Sequence, residues 1–200
     1  MKKILFYDTE TTGLPNWKKP SDDESQPHLV QLAAILCNAE TEEVISSIDL
    51  TIKPEGWEIP EEVSEIHGVT TEKAKAVGVP ENLAFQMLYA MFEVSDIRVA
   101  HNRTFDQRII RIAAKRHGTE PQTEAWAEKE DHECTMLLSK PICKLPNKGR
   151  KGIKNPKLEE AYEQFTGEQL ENAHTAIADA QGCMDIYFFM KNNSGESSNG

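Results

Sequence analysis

The stretch ILFYDTETTGLP, residues 4–15, ends an apolar run of strand type on two acids, Asp8 and Glu10, and breaks at Gly13. Residues i and i+2 of a strand point to the same face. Two like charges on one face of a core strand repel each other and resist burial. The arrangement is tolerable only if something neutralises it.

The rest of the chain narrows what that can be. Its 200 residues suit one compact domain, expected over residues 1–191. The tail NNSGESSNG, residues 192–200, has nothing to bury and is expected to be disordered. No apolar run is long enough to span a bilayer, and charged and turn residues follow MKKILFY too soon for a signal peptide. The expectation is a cytoplasmic protein with reduced thiols, since Cys37, Cys134, Cys143 and Cys183 form no CxxC pair. His132 with Cys134 would make half of a zinc site, but no second pair appears. A net charge of −11 argues against a broad basic surface for nucleic acid. No acid lies between Glu133 and Glu159, however, while Lys140, Lys144, Lys148, Arg150, Lys151, Lys154 and Lys157 do. That segment reads either as a phosphate-facing loop or as a solvated one.

Strands are expected over residues 3–8, 29–36, 44–52, 97–100 and 133–136, and a long surface loop over 11–27. Helices are expected over 60–66, 80–94, 104–117, 156–165 and 175–191. Leu83, Met87, Leu88 and Met91 form the apolar stripe of the second of these. Phe105, Ile109, Ile112 and Ala113 form that of the third. Early hairpin strands followed by strand–helix alternation give an α/β fold, a mixed sheet with helices on its faces. Ligands of such sheets gather at strand ends, here at Asp8 and at His101–Asn102.

Two further acids stand where the pattern would bury them: Asp106 beside Phe105 and Ile109, and Asp179 between Ile177 and Ala180. Asp106 also suits a helix N-terminus, where it opposes the dipole, and Asp179 a solvated border of its stripe. Four carboxylates converging from a strand end and two helices would be very costly without divalent cations. All-oxygen ligation selects hard ions, Mg²⁺ or Mn²⁺. Two of them, about 3.5–4 Å apart, form the usual clamp for displacement at phosphorus. His174 precedes Asp179 by five residues, about 140° around a helix at roughly 100° per residue. It would flank the ions as a base rather than bind them.

Three segments in order, DTETTG with Asp8 and Glu10, HNRTFD with Asp106, and HTAIAD with His174 and Asp179, resemble the exonuclease motifs of the DEDD family. The H-x4-D spacing matches its histidine branch, the DEDDh or DnaQ-like enzymes. IHGVT at 66–70 and PKLEEAYEQFTGE at 156–168 look like the family's intervening segments, in its epsilon-like and phage-type members. The resemblance implies an RNase H-like fold with a mixed five-stranded sheet, and 3′-to-5′ release of nucleoside monophosphates. Asp8, Glu10 and Asp179 would hold the ion that activates water, Asp8 and Asp106 the one at the leaving oxygen, and His174 would deprotonate the water. Thr11, Thr12, Gly13 and Leu14 match the segment that receives the terminal nucleotide. His67, Asn102 and Phe105 are further substrate-site candidates, although core packing explains Phe105 equally well. Trp17 and Trp57 could stack on bases or serve as packing.

The expected substrate is single-stranded DNA or frayed 3′ ends, with a polymerase or replication partner possible and no membrane. RNA trimming of the RNase T or oligoribonuclease kind is an alternative, and a non-catalytic accessory module another. An intact set of four acids and a histidine weighs against the last, because a pure binder has no use for a base.

Overall fold

A computed structural model describes residues 1–128, 130–147, 149 and 151–194. Three strands come first, β1 (Lys3–Thr11), β2 (Leu29–Asn38) and β3 (Val44–Thr51). Three helices follow, α1 (Glu61–His67), α2 (Thr71–Val77) and α3 (Glu81–Glu93). Then come β4 (Ile97–Ala100), α4 (Arg103–His117), α5 (Glu120–Ala127), β5 (His132–Cys134) and α6 (Thr135–Cys143). The last helices are α7 (Leu158–Thr166) and α8 (Ala176–Ser194). The strands form one mixed sheet in the order β3-β2-β1-β4-β5, with β1, β4 and β5 parallel and β2 antiparallel to both of its neighbours.

Period-two alternation of β1 divides the core. Leu5 and Tyr7 pack with Phe85 and Leu88 of α3, Ile109 and Ala113 of α4, and Trp126 of α5. Ile4 and Phe6 pack with Ala161 of α7 and with Ala180 and Met184 of α8. Asp8 and Glu10 continue the second series, so they face α8. Beyond Phe6↔Val99 the β1–β4 ladder stops, while β1 remains paired to β2 as far as Thr11 across a bulge at Glu10/Thr11. The two parallel strands with helices on opposite faces leave a crevice there, the place where such sheets bind ligands.

Several expectations need correction. β1 runs three residues beyond Asp8, and β5 covers His132–Cys134 rather than 133–136. α2, α5 and α6 have no counterpart among the expected helices. α2 buries only Ala74 and α5 only Thr123 and Trp126, too few positions to show a 3.6-residue period. They are held at their starts by Thr70 accepting from the Lys73 N–H and by a Thr119–Gln122 capping box. α6 carries Pro141 and follows β5 without a break, and its apolar start resembles a strand. On α3, Leu88 and Met91 are buried, but Leu83 and Met87 are exposed. The sheet takes the overlapping face that holds Phe85 and Tyr89, which buries larger aromatic area. α8 continues through Ser194, three residues past the expected domain end at Lys191. Residues 195–200 of the expected tail lie outside the described residues. All four cysteines are buried and free. Among the described residues no helix is long and apolar enough to cross a membrane.

The loop at residues 12–28 is surface, as expected, but it is internally built. Its ends are joined by Thr12 N–H to His28 O and by His28 N–H to Thr12 Oγ1, both 3.0 Å. Inside it, buried Gln26 accepts from the Asn16 N–H and donates to the Asn16 and Pro20 carbonyls.

Glu81, buried at the start of α3, ties three elements together. Its carboxylate accepts from Leu29 N–H (3.1 Å), meets His28 Nδ1 (3.2 Å) and His117 Nε2 (3.1 Å), and lies 3.7 Å from Arg116. Burial raises its pKa, but the hydrogen bonds from His117, His28 and Leu29 outweigh that and bring it to about 2. Glu81→Ala should cost ~3–5 kcal/mol, the loss seen when a buried charge loses its partner, read as a lower urea midpoint. Because the folded pKa is depressed, this contribution is present above the unfolded value and disappears as pH falls toward 2.

Candidate active site

Asp8 and Glu10 reach the crevice from β1, Asp106 from the first turn of α4, and Asp179 from the first turn of α8. Thr9, between the two strand acids, points to the opposite face. Its N–H and its hydroxyl both donate to Asp106 Oδ1, at 3.1 and 2.7 Å. One oxygen of Asp106 is thereby fixed, and Oδ2 is left to a ligand. Oxygens of Glu10 and Asp179 and a ring nitrogen of His174 lie within 4.8 Å of one another. Asp8 and Asp106 are not part of that triad, but their charges act on it.

The electrostatics bear this out. Burial, and then the charges of Asp106, Asp179 and Glu10, push the Asp8 carboxyl well above its usual range. Burial with Asp179 and Asp106 raises Glu10 to about 8. Burial raises Asp106 despite the Thr9 hydrogen bonds, and raises Asp179 despite the His174 N–H. Asp8, fully buried, feels the charges of all three other acids. The set is starved of positive charge, and its hard oxygen donors fit Mg²⁺ or Mn²⁺.

This predicts an unusual pH profile for metal-free protein. The folded state holds protons on these acids that the unfolded chain has released above its ordinary carboxylate pKa. Stability in EDTA should therefore fall as pH rises from about 4.5 toward 8, the Glu10 value. Each kcal/mol lost reads as about 2–4 °C in Tm for a chain of this size. Glu10→Gln should flatten the fall; an unchanged slope would mean that Glu10 is not strained by its neighbours.

His174 differs from its expected placement. α8 begins at Ala176, and His174 lies before it in the left-handed region at φ 67°, so a helical-wheel separation from Asp179 does not apply. Its backbone N–H donates to Asp179 Oδ1 at 3.3 Å, and its Nε2 meets Glu159 Oε1 of α7 at 3.1 Å. The ring is within ligand distance of Glu10 and Asp179 rather than set aside from them.

The expected substrate residues divide. Leu14 is 83% exposed, free to act as a wedge. Gly13, at φ +154°, holds a backbone shape that side chains disfavour, with open space around it. Thr11 is buried, its hydroxyl donating to the Gly13 carbonyl, and the Thr12 hydroxyl closes the loop to His28. Both hydroxyls thus serve local structure. Asn102 is exposed in the left-handed region at the start of α4 and makes no cap bond, which leaves its amide available. Phe105 is half-buried against the α4 core. His67 is buried; Nδ1 accepts from the Val69 N–H, and Nε2 has no partner. No hydrogen bond among the described residues ties His67 to the carboxylates.

Two contributors escape the sequence reading, Thr9 and Glu159. Thr9 stands inside the DTE motif, so its place was visible although its task was not. Glu159 is one of many glutamates, and only the packing of α7 on α8 brings it to His174. Half-buried His101, after β4, joins two further segments: its Nδ1 accepts from the Thr135 hydroxyl (3.0 Å) and its Nε2 donates to the Pro156 carbonyl (3.1 Å). Burial lowers its pKa to about 4, so it serves as a neutral brace.

The basic segment is shorter than expected as a loop, because α6 takes its start. Lys154 is paired to Glu160, and Lys148 and Arg150 lie outside the described residues. His132 and Cys134 sit on β5 but do not form a metal cluster among the described residues.

Residues 5–187 match the family described as RNase_T, Exonuclease. No curated protein matches the chain. Similar solved structures include E. coli exonuclease I with a dT13 oligonucleotide, at a TM-score of 0.75 and 22% identity, covering 98% of this chain and 42% of that one. The zinc-bound form of E. coli exonuclease I with single-stranded DNA gives 0.76 and 24%, covering 98% and 42%. A product-bound exonuclease I gives 0.73 and 21%, covering 98% and 45%. The chain spans less than half the length of these proteins. The likeness establishes a shared fold, an RNase H-like mixed five-stranded sheet flanked by helices.

Proposed function

The chain belongs to this exonuclease family, in its DEDDh branch, and from that premise we propose that it releases nucleoside monophosphates from the 3′ ends of single-stranded DNA. The observation that carries the reading is the convergence of Asp8, Glu10, Asp106 and Asp179 on one strand end, each carboxyl pushed upward in pKa. A structural ion-pair network would contain cations to match; among the described residues no Lys or Arg pairs with any of these four acids. DNA is proposed over RNA because the similar exonuclease I structures are complexes with DNA oligonucleotides.

In this reading Asp8, Glu10 and Asp179 hold one divalent cation, and Asp8 with Asp106 a second. When bound, the ions supply neutralisation of the scissile phosphate and acidify a water. Thr9 orients Asp106 by fixing its Oδ1. Glu159 steadies the His174 ring through Nε2, leaving Nδ1 to take the proton from the attacking water. Leu14 wedges against the terminal base, and Asn102 offers its amide to the sugar–phosphate.

The test is a Mg²⁺ and Mn²⁺ titration with 5′-labelled single-stranded DNA, duplex DNA and RNA. Stepwise shortening of the single-stranded DNA is the expected result. Faster loss of the RNA would move the assignment to RNA trimming. If no oligomer shortens, and Asp8→Ala binds DNA like the parent, the protein is a binding module.

A further inference from the structure

α4 carries five Lys and Arg residues, Arg103, Arg108, Arg111, Lys115 and Arg116, against the single acid Asp106, on a chain of net charge −11. Arg103 donates to the His132 carbonyl, and Arg116 donates to the Pro27 and Gln26 carbonyls and faces Glu81. Among the described residues, neither the Arg108 nor the Arg111 guanidinium meets a carboxylate. They crowd each other, and burial with the charge of Arg111 lowers the pKa of Arg108. Arg108 Nε is buried without a partner.

These two line a cleft of about 190 Å³ together with Trp17, Thr104, Gln107 and Ala127. Trp17 is 57% exposed, and the Arg108 guanidinium lies 5.9 Å from its ring centroid. Arg108 Nη2 also donates to the Lys19 carbonyl at 2.5 Å, which fastens the Trp17 loop to α4. Trp57 is not available in the same way, since it stacks on His28 at 4.6 Å. Trp17 is thus a large, half-exposed apolar ring beside two guanidiniums that meet no carboxylate among the described residues. Core packing does not explain it.

Thr104, Gln107, Arg108 and Arg111 share one stripe of α4, at spacings of three and four, while Asp106 lies nearly opposite. The cleft and the carboxylates are therefore separated by roughly 10–12 Å, a helix diameter. The loop joins them: three residues from Leu14 to Trp17 span at most ~10 Å. An aromatic face beside paired guanidiniums is the chemistry that takes a stacked base and its phosphate.

We propose that the cleft between Trp17 and the outer face of α4 binds single-stranded nucleic acid upstream of the terminal nucleotide, a base lying on Trp17 and a phosphate between Arg108 and Arg111. This rests on the reading of the carboxylate crevice as a nuclease site. The cleft would set how much of the strand is gripped, and so how affinity grows with length.

The experiment measures fluorescence anisotropy of labelled dT2, dT4 and dT8 in EDTA, so that binding is read without turnover, for the parent, W17A, R111A and R111E. Trp17 and Arg111 are both exposed, and Tm checks that each variant is folded. The parent should gain at least tenfold in affinity from dT2 to dT8, and W17A and R111A should each lose most of that gain, on the order of tenfold for dT8. R111E should bind dT8 more weakly than R111A, with a smaller salt dependence than the parent. Parent-like affinity for dT8 in W17A and R111E overturns the proposal. Turnover with Mn²⁺ separates the two ideas. Binding lost in the variants while the parent cuts nothing would keep the cleft and remove the nuclease, whereas cutting with unchanged binding would do the reverse.

Discussion

Asp8→Asn should lower the proposed exonuclease turnover by about 10²–10³-fold, the usual cost of removing one charge-stabilising group from a reaction site. Asp8 is singled out by the structure: it is the acid whose carboxyl is raised by all three others. Two measurements should move in opposite directions. Without metal, Asp8→Asn should melt at or above the parent, since a neutral amide avoids the cost of burying a carboxyl that must hold a proton beside three other acids. With Mg²⁺ or Mn²⁺ at about 100 times its Kd, the parent should gain ~2.7 kcal/mol, and Asp8→Asn should lose most of that gain. Equal gains in both would mean that Asp8 does not hold an ion.

His174→Ala is the second large effect, a fall in kcat of about 10²–10⁴-fold with KM little changed, as for the loss of a general base. Here the structure leaves two roles close together, because the ring lies near Glu10 and Asp179 as a ligand would. Thermal stabilisation by Mn²⁺ divides them. A base can be removed with the metal-induced Tm gain intact. If His174→Ala loses that gain along with kcat, the ring is a ligand and the water must find another acceptor.

The framework of the site was legible because its parts are local. Asp8 and Glu10 share a face by strand periodicity, and Asp106 and Asp179 interrupt helical stripes that the structure does bury. A mixed sheet with helices on its faces, and a site at its strand ends, follow from hairpin strands succeeded by strand–helix alternation. What stayed hidden depends on contacts between distant segments. The left-handed turn at His174 replaces the helical start that its spacing suggests, and Glu159 reaches it only through helix packing. α3 offered two overlapping apolar faces, and only the sheet could choose between them. The cations of α4 are spaced along the sequence among apolar residues, and only the helix gathers Arg108 and Arg111 on one face. Two contacts of the lysine segment at residues 140–157 turn inward, with Lys154 on Glu160 and the Lys157 N–H on the same carboxylate.

The loop at residues 12–28 closes on itself at Thr12 and His28 and is stitched through its middle by Gln26. It is consequently a cassette, anchored at its base and open at its tip, where Asp22 and Glu24 are exposed. Insertions at that tip would lengthen the protein without reaching the strand that carries the acids. In an evolving lineage, the loop would then drift in length while the strand that carries the acids stayed fixed. A single carboxylate site would then accept loops of many lengths, the loop being the adjustable part.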